Sequence, residues 1–105
     1  MAVNHEMDYS AASGNPLQPV REELNRVDDQ LIALFKKRME LSEEVARVKI
    51  ANGIPVLNQG REDEVITRLT AGCGEGEAAY IRELYLKIFE LSRDLQEKFI
   101  ADRNK

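Results

Sequence analysis

A stretch without a helix breaker runs from "NPLQP" to "ANG", where Gly53 and Pro55 end it. Apolar residues recur along it at intervals of three and four, which predicts one amphipathic helix. Asn15 is a candidate N-cap with Pro16 in the first turn, although the helix could also begin at Pro19. Gly53 predicts a left-handed C-cap. The apolar row comprises Val20, Leu24, Val27, Leu31, Leu34, Leu41, Val45 and Val48.

Two further helices are predicted after this one. Asn58 is the best N-cap for "REDEVITRLT", and the glycine-rich turn "AGCGEG" separates that segment from a third helix, about Glu77 to Ala101. No stretch alternates as a strand does, so the sequence predicts an all-α fold with a long, a short and a long helix. The apolar row of the third helix comprises Ile81, Leu84 or Tyr85, Ile88, Leu91 or Ser92, Leu95 and Phe99.

The length of the first helix predicts a homodimer. At ~1.5 Å per residue it is roughly 50 Å long, whereas a compact chain of this size has a radius of gyration near ~13 Å. The two other helices cannot cover so long an apolar row. We therefore expect a second copy to pack along it.

Composition bounds the class of protein. The 105 residues suit a single domain, which we assign to residues 15–105 after a polar, disordered tail at 1–14. A net charge of −4 argues against binding to nucleic acids or to anionic membranes. One cysteine, no apolar run long enough for a membrane span and no signal-peptide pattern predict a cytoplasmic protein.

Two cations interrupt the apolar face of the first helix. Arg38 lies between Leu34 and Leu41, and Lys49 follows eleven residues later, about 20° from a whole number of turns. Such side chains often extend along the core surface to place their charge in water. An anion bound between them is the alternative, because an unpaired buried charge is costly.

Polar residues on the other helices favour a shared anion site. Glu62 lies on the inward side of the second helix with Arg61 beside it, and Ser92 and Gln96 interrupt the row of the third. Each has an ordinary explanation, such as a favourable helix dipole for Glu62 or simple packing for Ser92. One pocket explains them together and predicts a small organic dianion with a hydroxyl group.

Arg21 lies seventeen residues before Arg38, so it is about 25 Å away along the helix. No small ligand held by Arg38 could also touch Arg21 of the same chain. In an antiparallel dimer Arg21 could instead enter the partner's pocket. The alternative is a solvated arginine beside Glu22 and Glu23.

The segments "VREELNRVDDQLIALFKKRMELSEEVARVKIANGIPVLNQGREDEVITRL" and "YIRELYLKIFELSRDLQ" resemble the three helices of the all-helical chorismate mutases, the AroQ class. The resemblance covers about residues 16–100. It implies an intertwined homodimer, an isomerase that converts chorismate to prephenate in phenylalanine and tyrosine biosynthesis, and no metal or other cofactor.

The resemblance also implies a role for each polar residue. Arg38 and the partner's Arg21 would bind the substrate carboxylates, with Ser92 near one of them. Glu62, with Arg61 beside it, would take the ring hydroxyl. Lys49 would bond the ether oxygen and a carboxylate. The four residues expected to be catalytic are Lys49, Gln96 (the second donor to the ether oxygen), Arg38 and Glu62.

One departure and three alternatives accompany the resemblance. Some family members carry aspartate where this chain has Asn58, which can accept a hydrogen bond without a charge. An isochorismate–pyruvate lyase has a similar architecture and pocket. A noncatalytic ligand-binding or dimerisation module, or a purely structural helical dimer, is also compatible with the pattern. The sequence leaves open whether this domain belongs to a larger enzyme.

Overall fold

The chain forms three helices in the computed structural model, which describes residues 14–103. They are α1 (Gln18–Asn52), α2 (Gln59–Thr70) and α3 (Glu75–Arg103), and no strand occurs within that range. The predicted all-α order of long, short and long helices is confirmed. Apart from Gly14, the predicted tail lies outside the described residues. No helix in this part of the chain combines the length and apolarity needed to cross a membrane.

The two ends of α1 follow from local backbone chemistry. Before α1, the Asn15 side chain accepts from the Leu17 N–H at 2.9 Å, and the helix begins at Gln18, between the two predicted starts. At its end Gly53 has φ +63°, and the Ile54 N–H donates to the Lys49 carbonyl at 2.9 Å. This is the Schellman pattern, in which a left-handed residue closes the last turn. The predicted Gly53 C-cap is confirmed.

The start of α2 and both ends of α3 extend beyond the predicted limits, whereas α2 ends at Thr70 as predicted. The Asn58 side chain accepts from the Arg61 N–H at 3.0 Å, which confirms the N-cap and makes Gln59 the first residue of α2. The third helix starts at Glu75 rather than Glu77, and the Ala78 N–H already donates to the Gly74 carbonyl at 2.9 Å.

The described residues fall into two compact units, one ending at Lys37 and one beginning at Arg38. The first contains the N-terminal part of α1. The second contains the rest of α1 with α2 and α3, and α2 packs against α3. Its buried apolar side chains are Ala46, Val65 and Phe89, and its buried polar side chains are Ser42, Ser92 and Gln96.

Within residues 14–103, most of the predicted apolar row of α1 is left exposed. After Val20, its large side chains are 44–68% exposed, whereas Ser42 and Ala46 are buried. Small side chains on the enclosed face let α1 approach α3 closely, and the Oγ atoms of Ser42 and Ser92 lie 2.7 Å apart. A second copy that covers the exposed row stays a prediction. The exposed residues are Leu24, Val27, Leu31, Leu34, Leu41, Val45 and Val48.

The structure resolves the two alternatives in the predicted row of α3. Ser92 is buried and Tyr85 half-buried, whereas Leu84 and Leu91 are 54% and 37% exposed. Phe89, which was not predicted, is also buried. Phe89 packs edge-to-face with Tyr85, with ring centroids 5.7 Å apart. The enclosed face of α3 therefore includes Tyr85, Phe89 and Ser92. The sequence alone left this face ambiguous, because two adjacent rows of the helix are both rich in apolar residues.

Gly53→Ala should destabilise the chain by about 1 kcal/mol, because only the φ of this residue, and no steric neighbour, opposes a Cβ atom. Gly60→Ala is the matched control. Gly60 lies inside α2 with no positive φ, so the same change should be neutral or stabilise by about 0.5 kcal/mol. Urea unfolding of both variants measures the difference. Equal stability of the two would contradict the cap.

Candidate functional site

A cavity of about 310 Å³ lies within the unit that begins at Arg38. It lies between the C-terminal part of α1, the α1–α2 connection, the start of α2 and the middle of α3. Its volume is at the lower end of the ~300–1,000 Å³ range of small-molecule sites. Arg21, which is exposed in the other unit, is not among the lining residues. The predicted residues that line it are Arg38, Lys49, Asn58, Arg61, Glu62, Ser92 and Gln96.

Lys49 brings its charge into the wall of the cavity. Its Nζ donates to the Val56 carbonyl at 2.6 Å and to Gln96 Oε1 at 3.2 Å. Burial lowers the pKa of Lys49 from the ordinary lysine value, and the Glu62 carboxylate partly opposes that shift. The ammonium therefore loses its proton more readily than a solvated lysine does, and a bound anion would favour its charged form.

Gln96 is held at both ends of its side-chain amide. Its Oε1 accepts from Lys49, and its Nε2 donates to Ser92 Oγ at 3.1 Å. Ser92 Oγ is in turn 2.7 Å from Ser42 Oγ. These bonds fix which end of the amide is the donor, and the second hydrogen on Nε2 stays available to a ligand. In residues 14–103, no buried side-chain nitrogen or oxygen lacks a partner.

Arg38 rests on an aromatic surface. Its guanidinium carbon lies 5.5 Å from the ring centroid of Tyr85 and 5.7 Å from that of Phe89. A cation–π contact is an attraction to the ring and needs no acceptor atom, so it can coexist with hydrogen bonds from the guanidinium N–H groups. These donors suit the planar, bidentate geometry of a carboxylate. The packing therefore explains how an arginine can be half-buried while remaining able to bind an anion.

The start of α2 supplies the acidic group of the cavity. Glu62 forms an ion pair with Arg93 of α3, and the Arg93 Nη1 donates to its Oε2. Arg61 instead pairs with Glu64 at 3.0 Å, and both side chains are exposed. Asn58 lies at the cavity wall, but its side-chain oxygen also caps α2.

Several residues of this site were not predicted from the sequence. Arg93, which precedes Gln96 by one helical turn, lines the cavity, as do Ser42 and Phe89. The carbonyl of Val56 contacts Lys49. Spacing could have indicated Ser42, four residues after Arg38, and Arg93, three before Gln96, because such residues share a helix face.

The charged residues that line the cavity indicate the charge of the ligand that it could bind. Four cations and one carboxylate give the lining a formal surplus of three positive charges, one of which belongs to Arg61 and is paired with Glu64 outside the lining, although the whole chain carries −4. A small organic dianion would balance most of this surplus. Glu62 and the neutral amide and hydroxyl groups offer acceptors for a ligand hydroxyl. The lining cations are Arg38, Lys49, Arg61 and Arg93.

Comparison with known proteins indicates a family. The model of the family described as chorismate mutase type II matches residues 20–97. This range includes seven lining residues that we predicted, and it also includes Arg21. It begins within α1 and ends within α3.

Individual relatives agree with this match. The bifunctional chorismate mutase/prephenate dehydratase of Escherichia coli (strain K12) is 38% identical over 80 residues, which cover 74% of this chain and 21% of that protein. The chain thus spans about a fifth of that relative. The chorismate mutase of Methanocaldococcus jannaschii is 24% identical over 90 residues, which cover 82% of this chain and 89% of that protein.

A solved structure is similar in fold. A conserved hypothetical protein from Pyrococcus furiosus matches with a TM-score of 0.66 and 32% sequence identity, covering 80% of this chain and 99% of that chain. The arrangement of helices is therefore shared with that structure.

A cyclic dicarboxylate should raise the melting temperature of the protein, because the cavity has a surplus of positive charge. At about ten times its dissociation constant, cyclohexane-1,3-dicarboxylate should stabilise the folded state by about 1.4 kcal/mol. The monoanion cyclohexanecarboxylate is the matched control, and Arg38→Met should remove most of the shift. Differential scanning calorimetry measures the effect. Equal shifts from both anions would contradict a dianion site.

Proposed function

Because the chain belongs to the chorismate mutase type II family, we propose that it is an isomerase that rearranges chorismate to prephenate for phenylalanine and tyrosine biosynthesis. The observation that carries this proposal is the contact between the Lys49 ammonium and the Gln96 amide, 3.2 Å apart, in the wall of a cationic cavity. These groups can both donate to an ether oxygen. The reaction has one substrate and needs no cofactor.

The first part of the mechanism is conformational. Arg38 would bind one carboxylate of chorismate through its in-plane donors, and Arg21 of a second copy would bind the other. Holding both carboxylates keeps the flexible enolpyruvyl arm over the ring in its reactive, chair-like shape. Such positioning removes much of the entropy barrier of a reaction between two parts of one molecule.

The second part is electrostatic. As the C–O bond breaks and the new C–C bond forms, electrons move around one cycle and negative charge grows on the ether oxygen. Lys49 and the second Nε2 hydrogen of Gln96 would stabilise that charge. A preorganised donor of this kind contributes about 3 kcal/mol to transition-state stabilisation. No nucleophile is required for this pericyclic step.

The remaining polar residues would orient the substrate. Glu62 would accept a hydrogen bond from the ring hydroxyl of chorismate, and Arg61 would add positive charge beside Glu62. Ser92 would lie near one of the substrate carboxylates. Asn58, where some relatives of the AroQ class carry aspartate, supplies an acceptor without adding charge that would repel the dianion. Its bond to the Arg61 N–H also stabilises the start of α2, which carries Glu62.

We also propose an intertwined homodimer of the domain at residues 15–105. The exposed apolar row of α1 supports it. Its leucine and valine side chains are 44–68% exposed, and covering them with a second copy would lower the free energy of the protein by removing apolar surface from water. Arg21 lies on the same helix, and an antiparallel arrangement would bring it to the partner's cavity. The free thiol of Cys73 fits the reducing cytoplasm that we propose as its location.

Lys49→Met should lower kcat/KM for chorismate by at least a hundredfold, because it removes a donor to the ether oxygen while keeping the side-chain stem. Lys98→Met is the control, since Lys98 is an exposed residue of α3 paired with Asp94. The assay follows chorismate loss spectrophotometrically and identifies the product. Turnover of isochorismate to pyruvate and salicylate, with chorismate left intact, would replace this assignment by a lyase.

Mixing two inactive variants should test the dimer and the role of Arg21. Arg21→Ala and Lys49→Ala subunits, denatured together and refolded, should form hybrid dimers in which one cavity has both residues. A 1:1 mixture should then recover about a quarter of wild-type activity, because half of the dimers are hybrids with one complete site. Absence of recovery despite mixed dimers by native mass spectrometry would exclude the cross-subunit role.

A further inference from the structure

The ion pair between Arg93 and Glu62 differs from other ion pairs of the described chain. Pairs such as Lys87–Glu90 join residues one turn apart on one helix, and both side chains are largely exposed. Arg93 and Glu62 instead connect α3 to α2, and their side chains are only 31% and 14% exposed. Solvent screens such a pair less than a surface pair, so its electrostatic consequences are larger.

The pair leaves part of the carboxylate available to a ligand. Arg93 Nη1 donates to Oε2 of Glu62, and both residues line the cavity. The other oxygen, Oε1, can accept a hydrogen bond from a ligand hydroxyl. A carboxylate held by a guanidinium at one oxygen also has less freedom to rotate, so the position of its acceptor is better defined.

The pair also solves an electrostatic problem of the site. A dianionic ligand must approach Arg38 and Lys49 in the cavity that contains the negative charge of Glu62. That charge acts on Lys49, whose pKa it raises against the effect of burial. Arg93 neutralises the charge of Glu62 locally. The Glu62 carboxylate can therefore accept a hydrogen bond from the ligand hydroxyl while repelling the ligand's own carboxylates less.

We propose that Arg93 is a positioning residue that makes the site selective for a dianion with a ring hydroxyl, by fixing and neutralising the Glu62 carboxylate. This inference rests on the proposed function for the identity of the substrate. Arg93 acts through Glu62, while Glu62 contacts the hydroxyl. The competing explanation is that the pair only fastens α2 to α3.

The test compares two substrates and two arginine variants. Arg93→Met should lower kcat/KM for chorismate by roughly tenfold to a hundredfold, and much less for the analogue that lacks the ring hydroxyl. Arg82→Met is the matched control, because Arg82 is an exposed arginine of α3 outside the cavity lining. It should leave both substrates unaffected. Arg93→Lys should restore part of the lost selectivity.

A double variant separates positioning from a purely structural role. In a Glu62→Gln background, Arg93→Met should cause little further loss of kcat/KM, because the carboxylate through which it acts is gone. An equal loss for both substrates, accompanied by a lower melting temperature, would mean that the pair only joins the helices and would overturn the proposal.

Binding keeps this inference separable from the proposed reaction. If wild-type protein does not convert chorismate, the proposed function fails, but calorimetry still compares chorismate with its deoxy analogue as ligands. Wild-type protein should then bind the hydroxylated dianion more tightly, and Arg93→Met should abolish that preference. Equal preference in both proteins would overturn the role of Arg93.

Discussion

The site is organised around a lysine ammonium that is partly removed from water. Burial disfavours the charge of Lys49, as its lowered pKa indicates, so acceptors must compensate for the lost solvent. The Val56 carbonyl and the Gln96 amide provide them. The backbone carbonyl of Lys49 also closes the Schellman turn through Ile54. One residue thereby connects the end of α1, the following connection and α3.

The contact between α1 and α3 is made by small and polar side chains. Larger apolar side chains at these positions would fill the cavity. Ser42, Ala46 and Ser92 allow the helices to approach, and Gln96 continues the hydrogen-bonded chain to Lys49. A buried network in which each polar atom has a partner favours one arrangement over others, because a change at one member leaves another unpaired. The same bonds thus stabilise the unit and orient the donors of its cavity.

Local signals made most of the fold predictable. Gly53 and Asn58 act on adjacent backbone groups, and the structure confirms both caps. The buried face of α3 was harder, since Leu84 and Leu91 lie on an apolar row beside the one that contains Phe89. Periodicity identifies both rows but not which one a distant helix covers. The pairing of Arg93 with Glu62 depends on tertiary structure across 31 positions, so no local pattern could predict it.

The number of N–H groups on the Lys49 ammonium limits how many hydrogen bonds a ligand can accept from it. Three N–H bonds are present, and two already serve Val56 and Gln96, which leaves one vacancy. A guest that requires two bonds from this nitrogen must displace a resident acceptor. Gln96, at 3.2 Å, is the weaker competitor against the carbonyl at 2.6 Å. Its amide oxygen would then lose this donor, while the bond from Nε2 to Ser92 Oγ would still hold the amide in its orientation.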